Sequence, residues 1–193
     1  MPRARSAVQI VDWLELTAGL PVRASMAAMA STERHAVQEQ SRASASGRQT
    51  RDALTERVRH VGPNGAGARA KLVIDLVLGL NRLALAEGLL FGLRQGLDGR
   101  ALLAVLKESG AYSRAMDLKG ERMVEGNFEA EGKLVQHLKD VELMLEVGHA
   151  AGAPLLATAL HRQLLLAGVA GGLGDHDNSA IIAVLRSLIA APR

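Results

Sequence analysis

Three short stretches hold residue types that could do chemistry. The first is Gly62-Pro63-Asn64-Gly65-Ala66-Gly67, followed by Lys71 and Asp75. Glycines there let backbone approach a ligand closely, and a helix opening behind them offers free N–H groups to an anion. Within such a helix Lys71 and Asp75 stand one turn apart on one face. A lysine held beside an apolar wall has a lowered pKa and can donate or accept a proton. The same residues also read as a glycine turn followed by an ordinary ion pair, worth about 0.2–0.5 kcal/mol. They are not a dinucleotide fingerprint, because GxGxxG must follow a strand, and what precedes Gly62 is an Arg- and Ser-rich segment.

The second stretch is His137-Leu138-Lys139-Asp140. With a helix beginning there, Asp140 suits the positive end of the helix and Lys139 can extend an ammonium into a cleft. A solvated face with a cap is the plainer reading of the same spacing. The third is Gly174-Asp175-His176-Asp177-Asn178-Ser179. Carboxylates and imidazole suit several divalent metals. Yet Asp177, Asn178 and Ser179 stand immediately before the apolar run Ala180–Leu185, where capping residues belong. Capping is the reading adopted, and no metal site is expected. His149 and His161 are twelve residues apart and form no HExxH pair.

Helices must position these groups. Aromatic residues make up 2% of the 193-residue chain, so Leu, Val, Ile, Ala and Met must build its core. That composition favours packed helices over sheets, and no run keeps the period-two alternation of a strand. A long helix is expected from about Ala68 to Gln95, dense enough in apolar residues to be buried on more than one side. A membrane span would have to carry Lys71, Asp75, Arg82 and Glu87, each opposed by about 2.5–3.5 kcal/mol at the bilayer centre. No membrane association is expected. Asp98 caps a second helix ending at Gly110, and a looser segment follows through Tyr112, Met116 and Met123. Further helices are expected at about 134–151, from Pro154 at a first turn, and after Asp177-Asn178. From residue 61 to 193 the chain reads as all-α, with five or six helices.

Residues 1–60 differ in character. Between Pro21 and Ala53 there is no Leu, Ile, Phe, Trp or Tyr. Such a stretch cannot offset an ordering cost of roughly 1–2 kcal/mol per residue, so partial disorder is expected. Val8, Ile10, Val11, Trp13, Leu14 and Leu16 could line one amphipathic helix ahead of it, and Asp12 and Glu15 exclude a signal peptide. The first sixty residues carry nine Arg and six acidic groups, whereas the remainder is balanced at fourteen of each sign. A neutral helical body without stacking aromatics is a poor nucleic-acid binder, so no nucleic-acid partner is expected. The absence of cysteine excludes disulfides, iron–sulfur clusters and thiol nucleophiles. It fits a reducing compartment, and a cytoplasmic chain is expected.

Taken together, the order and separation of these stretches resemble one family. Residues 61–190 are similar to the C-terminal helical domain of the β-hydroxyacid dehydrogenases, a group related to 6-phosphogluconate dehydrogenase. It includes 3-hydroxyisobutyrate dehydrogenase, tartronate semialdehyde reductase and the glyoxylate/succinic semialdehyde reductases. The family's glycine-rich motif with its lysine stands here as GPNGAGARAKLVID, with Lys71 in the lysine position. The long-helix phrase LVLGLNRLALAEGLLFGLRQGLD follows, with Ala86-Glu87-Gly88 in the usual place. Then come Lys139-Asp140-Val141 for the family's KDL, the turn Gly152-Ala153-Pro154, and GLGDHDNSAII near the end.

The resemblance implies an all-α fold like the 6-phosphogluconate dehydrogenase C-terminal domain, built around one long central helix, and a homodimer formed through it. It implies NAD or NADP as cofactor and a small hydroxy acid or semialdehyde as substrate. Lys71 would be the catalytic proton donor or acceptor, with Gly65, Gly67 and Asp75 at the substrate and Lys139 at the cofactor. Asp75 departs from the family, which has Asn four residues after the lysine; an ionised carboxylate only accepts hydrogen bonds and repels a carboxylate substrate. The family also expects an α/β dinucleotide-binding domain upstream, and residues 1–60 match none of it. A truncated or frame-disrupted gene is one expectation; weak cofactor binding and no turnover by the chain alone are others. The alternative is a non-enzymatic helical module that dimerises or binds a partner.

Overall fold

The computed structural model describes residue 61 and residues 65–189, and all of its regular structure is helical. Six α-helices run α1 (Ala66–Arg94), α2 (Gly99–Glu108), α3 (Arg114–Glu125), α4 (Leu134–Ala150), α5 (Leu156–Ala170) and α6 (Ile181–Ser187). A single 3-10 turn, Asn178–Ala180, leads into α6. The chain divides between Lys71 and Leu72, inside α1, into two compact units. The expected disorder and amphipathic helix of residues 1–60 lie outside the described residues.

From Leu72 on, α4 packs on α5, α5 on α6, and α2 on α3. The core gathers Leu83, Leu85, Ala86 and Leu89 of α1 with Leu103, Met116, Met123, Leu134, Leu138, Leu165 and Ile182. At about 100° per residue, the buried positions of α1 from Gly79 to Gly92 span roughly half its circumference. Val73, Val77 and Phe91 on the other half are exposed, as is Ile74 at the edge of the buried half. By length and composition α1 alone among the described helices could cross a membrane. Its Leu83, Leu85, Ala86 and Leu89 are instead core residues of the protein.

Local chemistry explains the helix ends. Asp98 caps α2, its Oδ1 accepting from Ala101 N–H at 2.8 Å. At α4, the backbone N–H groups of Leu134 and Val135 donate to the carbonyls of His176 and Gly174, at 2.9 and 3.0 Å. Four such groups lack a partner in any helix's first turn, and here a distant loop satisfies two of them.

Three expectations need correction. The stretch through Met116 and Met123 is helix α3, not a looser segment. Its buried residues Met116, Gly120 and Met123 recur at helical spacing, and Gly126 ends it in the left-handed conformation at φ 72°. Pro154 precedes α5 rather than sitting in its first turn. Asp140 is the seventh residue of α4, too far along to serve as its cap.

Candidate functional site

Gly65 turns the chain into α1 at φ 84°, a conformation that glycine adopts without strain. Gly67 follows, exposed, in the first turn of the helix. Lys71 lies further along and is half-buried. Asp75 is also half-buried, and its position makes it a neighbour of the buried part of α1 rather than of the exposed face.

Two turns beyond Asp75, the same helix buries an arginine. Arg82 is 9% exposed, and its Nη1 makes no hydrogen bond. Burial lowers its pKa to about 10, while the carboxylates of Asp177, Asp75 and Asp140 act to keep the guanidinium charged. At neutral pH it is a buried cation. Two of the residues from the sequence-derived site, Asp75 and the Asp140 beside Lys139, thus meet electrostatically at Arg82. Lys139 itself is exposed on α4.

Next to Arg82 are two imidazoles, His137 of α4 and His161 of α5, both buried. Their ring centroids are 5.1 Å apart at an interplanar angle of 52°. Burial holds His137 well below the usual imidazole range, helped by the positive charge of Arg82 and by His161. Burial, then Arg82, takes His161 down to about 4. Both rings are neutral at pH 7.

Sequence reasoning did not foresee this cluster. Arg82 interrupts the apolar phrase LGLNRLALAEG, and that break in the pattern was the available signal. His137 and His161 carried no comparable signal, because their partners lie on other helices.

Near the C-terminus, Asp177 performs the capping expected of it, while Asp175 accepts instead from Lys133 Nζ at 2.8 Å. Asp177 accepts from Ser179 N–H at 3.0 Å and caps the 3-10 turn. It is also fully buried and accepts from Lys119 Nζ at 2.8 Å and from Gly132 N–H at 3.1 Å. Burial alone would raise its pKa; those hydrogen bonds, Lys119 foremost, overcome it and leave the carboxyl well below its usual range. No group of three or more metal-ligating side chains occurs among the described residues.

Residues 65–185 match the family model described as NAD-binding of NADP-dependent 3-hydroxyisobutyrate dehydrogenase. The chain belongs to the 3-hydroxyisobutyrate dehydrogenase family. The match begins at the Gly65 turn and covers all of α1 to α5. A 2-(hydroxymethyl)glutarate dehydrogenase of Eubacterium barkeri is 38% identical over 126 residues, which are 65% of this chain and 42% of that one. A 2-hydroxy-3-oxopropionate reductase of Escherichia coli K12 is 32% identical over 132 residues, 68% of this chain and 45% of its own. In three dimensions, 3-hydroxyisobutyrate dehydrogenase from Salmonella typhimurium superposes with a TM-score of 0.66 at 22% identity. That superposition covers 69% of this chain and 47% of the other. Against the 3-hydroxyisobutyrate dehydrogenase family, then, the chain spans less than half the length of these relatives, and the fold it shares with them is the helical one.

Proposed function

We propose that this chain is the substrate-side helical part of an NAD(P)-dependent β-hydroxyacid dehydrogenase or semialdehyde reductase, with Lys71 as its proton donor and acceptor. The observation that carries this reading is the Gly65 turn opening α1, with a half-buried Lys71 inside the region matched to the family. An ammonium is suited to a carbonyl oxygen that gains negative charge, because stabilising developing charge is commonly the largest catalytic effect. Lys71 would hold its proton at that oxygen during reduction and take it back during oxidation. Gly65 and Gly67 would border the substrate carboxylate through their backbone, and Asp75 would accept from a substrate hydroxyl.

NAD or NADP supplies the hydride in this chemistry. The described residues include no strand and no strand-to-helix glycine turn on which a dinucleotide pyrophosphate could rest. The exposed Lys139 would contact one anionic end at most. We therefore propose that the chain by itself binds NAD(H) and NADP(H) weakly and does not turn over small hydroxy acids or semialdehydes. Fluorescence titration with NADH and NADPH, with assays on those substrates, tests this. Micromolar affinity together with turnover abolished by Lys71→Ala would overturn the expected inactivity. If a relative's dinucleotide-binding half, added in trans, formed a complex that turned over equally well with Lys71→Ala, the assigned role of Lys71 would be wrong.

One observation favours a second reading, a non-enzymatic module that dimerises. Val73, Val77 and Phe91 form an exposed apolar stripe along α1, the kind of surface that a second copy covers. Both readings suit a small cytoplasmic protein, and sedimentation of the chain with and without Phe91→Glu separates a dimer from a monomer.

A further inference from the structure

We propose that Arg82, His137 and His161 form an acid-operated latch, which seats α1 on α4 and α5 while both imidazoles are neutral and releases it when they take up protons. The geometry starts at Gly79. A Cβ on that residue would lie 2.7 Å from His137 Nε2 and 3.4 Å from His161 Cε1. Both rings therefore rest against the bare backbone of α1, one from each neighbouring helix. His137 Nε2 is buried and makes no hydrogen bond, so a proton added there finds no acceptor.

The charges around the cluster decide what that proton meets. From α1 come Asp75 and Arg82, from α4 Asp140, and from the turn before α6 Asp177. These carboxylates act on the guanidinium. Asp177 already accepts from Lys119 and from backbone N–H groups. What acts on each imidazole is burial and the positive charge of Arg82, with His161 adding to the effect on His137. Acid thus brings up to two further positive charges beside a buried cation, and the rings lose that penalty only by reaching water.

The sign follows from linkage. In the open state both imidazoles have the ordinary value near 6.5, and in the closed state lower values, about 4 for His161. The latch is fully closed above pH 6.5 and weakens as pH falls toward 4. Each group contributes up to a tenfold rise in the opening constant per pH unit, so two together contribute up to about a hundredfold. Opening would separate Asp75 and Arg82 on α1 from Asp140 on α4.

Hydrogen exchange of the whole 193-residue chain, corrected for intrinsic rates, tests this between pH 7 and 4.5. The expected result is a steep loss of protection in α1 from residue 76 to 92, with α2 and α3 retaining theirs. The double variant His137→Gln/His161→Gln should flatten that dependence. NMR titration of the imidazoles in the unaltered chain provides an arm that needs no variant to fold. Titration of both rings near pH 6.5, or simultaneous loss of protection in α1, α2 and α3, would overturn the latch.

Discussion

Lys119 Nζ lies 2.8 Å from Oδ2 of Asp177, and the two residues are 58 positions apart in the chain. The carboxylate has no exposed surface, and the lysine side chain keeps only 14% of its own. Asp177 also holds Gly132 N–H and Ser179 N–H, so one side chain joins α3, the loop before α4 and the turn before α6. Removing it strands several donors at once.

Asp177→Ala should therefore destabilise the protein by about 1–3 kcal/mol for each buried N–H it strands, while Lys119 keeps the exposed Glu131 at 3.2 Å. Lys119→Met should cost a similar amount, because it leaves the carboxylate without its cation. The double variant Lys119→Met/Asp177→Ala should lose less than the two single losses together. Urea unfolding measures all three, and strictly additive losses would contradict the coupling.

The acid limb of stability should have two distinguishable parts. Asp177 has a depressed carboxyl pKa in the folded state, so its contribution is present above the ordinary carboxylate range and lost as pH falls below it. Asp177→Asn should reduce the loss of stability seen below about pH 4, leaving the smaller part due to the exposed Asp117, Glu131 and Asp175. It should leave intact the loss between pH 6.5 and 4 that the buried imidazoles cause. Thermal melts across pH 3–7 would show both limbs, and a variant curve parallel to the parent throughout would refute the assignment.

Two glycines of one helix should respond to alanine with opposite signs. At Gly79 the new methyl would meet the His137 ring at 2.7–2.8 Å, and a ring cannot bend away. Overpacking of this kind costs about 1–3 kcal/mol and outweighs the gain in helix propensity of about 1 kcal/mol. At Gly88 a Cβ meets nothing within 4 Å. Gly88→Ala should thus stabilise by about 0.5–1 kcal/mol. Denaturation midpoints of the two variants give the comparison directly.

Asp98→Ala should lower stability by about 1 kcal/mol through loss of the bond to Ala101 N–H, and Asp98→Asn should retain most of it. Helicity by circular dichroism together with the unfolding midpoint checks the pair.

What the sequence made legible was mostly local. α1 announced itself by the turn ahead of Lys71 and the apolar run after it, and α2 by Asp98 one residue before its start. Capping by Asp177 was legible for the same reason, since Ser179 is two residues away. Its bond to Lys119 was not, because nothing near either residue marks the other. Helix α3 was obscured by its charges: Arg114, Asp117, Lys119, Glu121, Arg122 and Glu125 mask four small or flexible buried residues. The Arg82 cluster is assembled from three helices, so only packing brings its members together.

The loop carbonyls that close the first turn of α4 carry a consequence for the newborn chain. Leu134 and Val135 find their acceptors in His176 and Gly174, about forty residues further on. On a ribosome adding roughly 5–20 residues per second, α4 spends about 2–8 seconds with that end open to water. α1, α2 and α3 can pair during that interval, whereas the α4–α5 hairpin must wait for residues 174–176 to leave the exit tunnel before its N-terminal turn is closed.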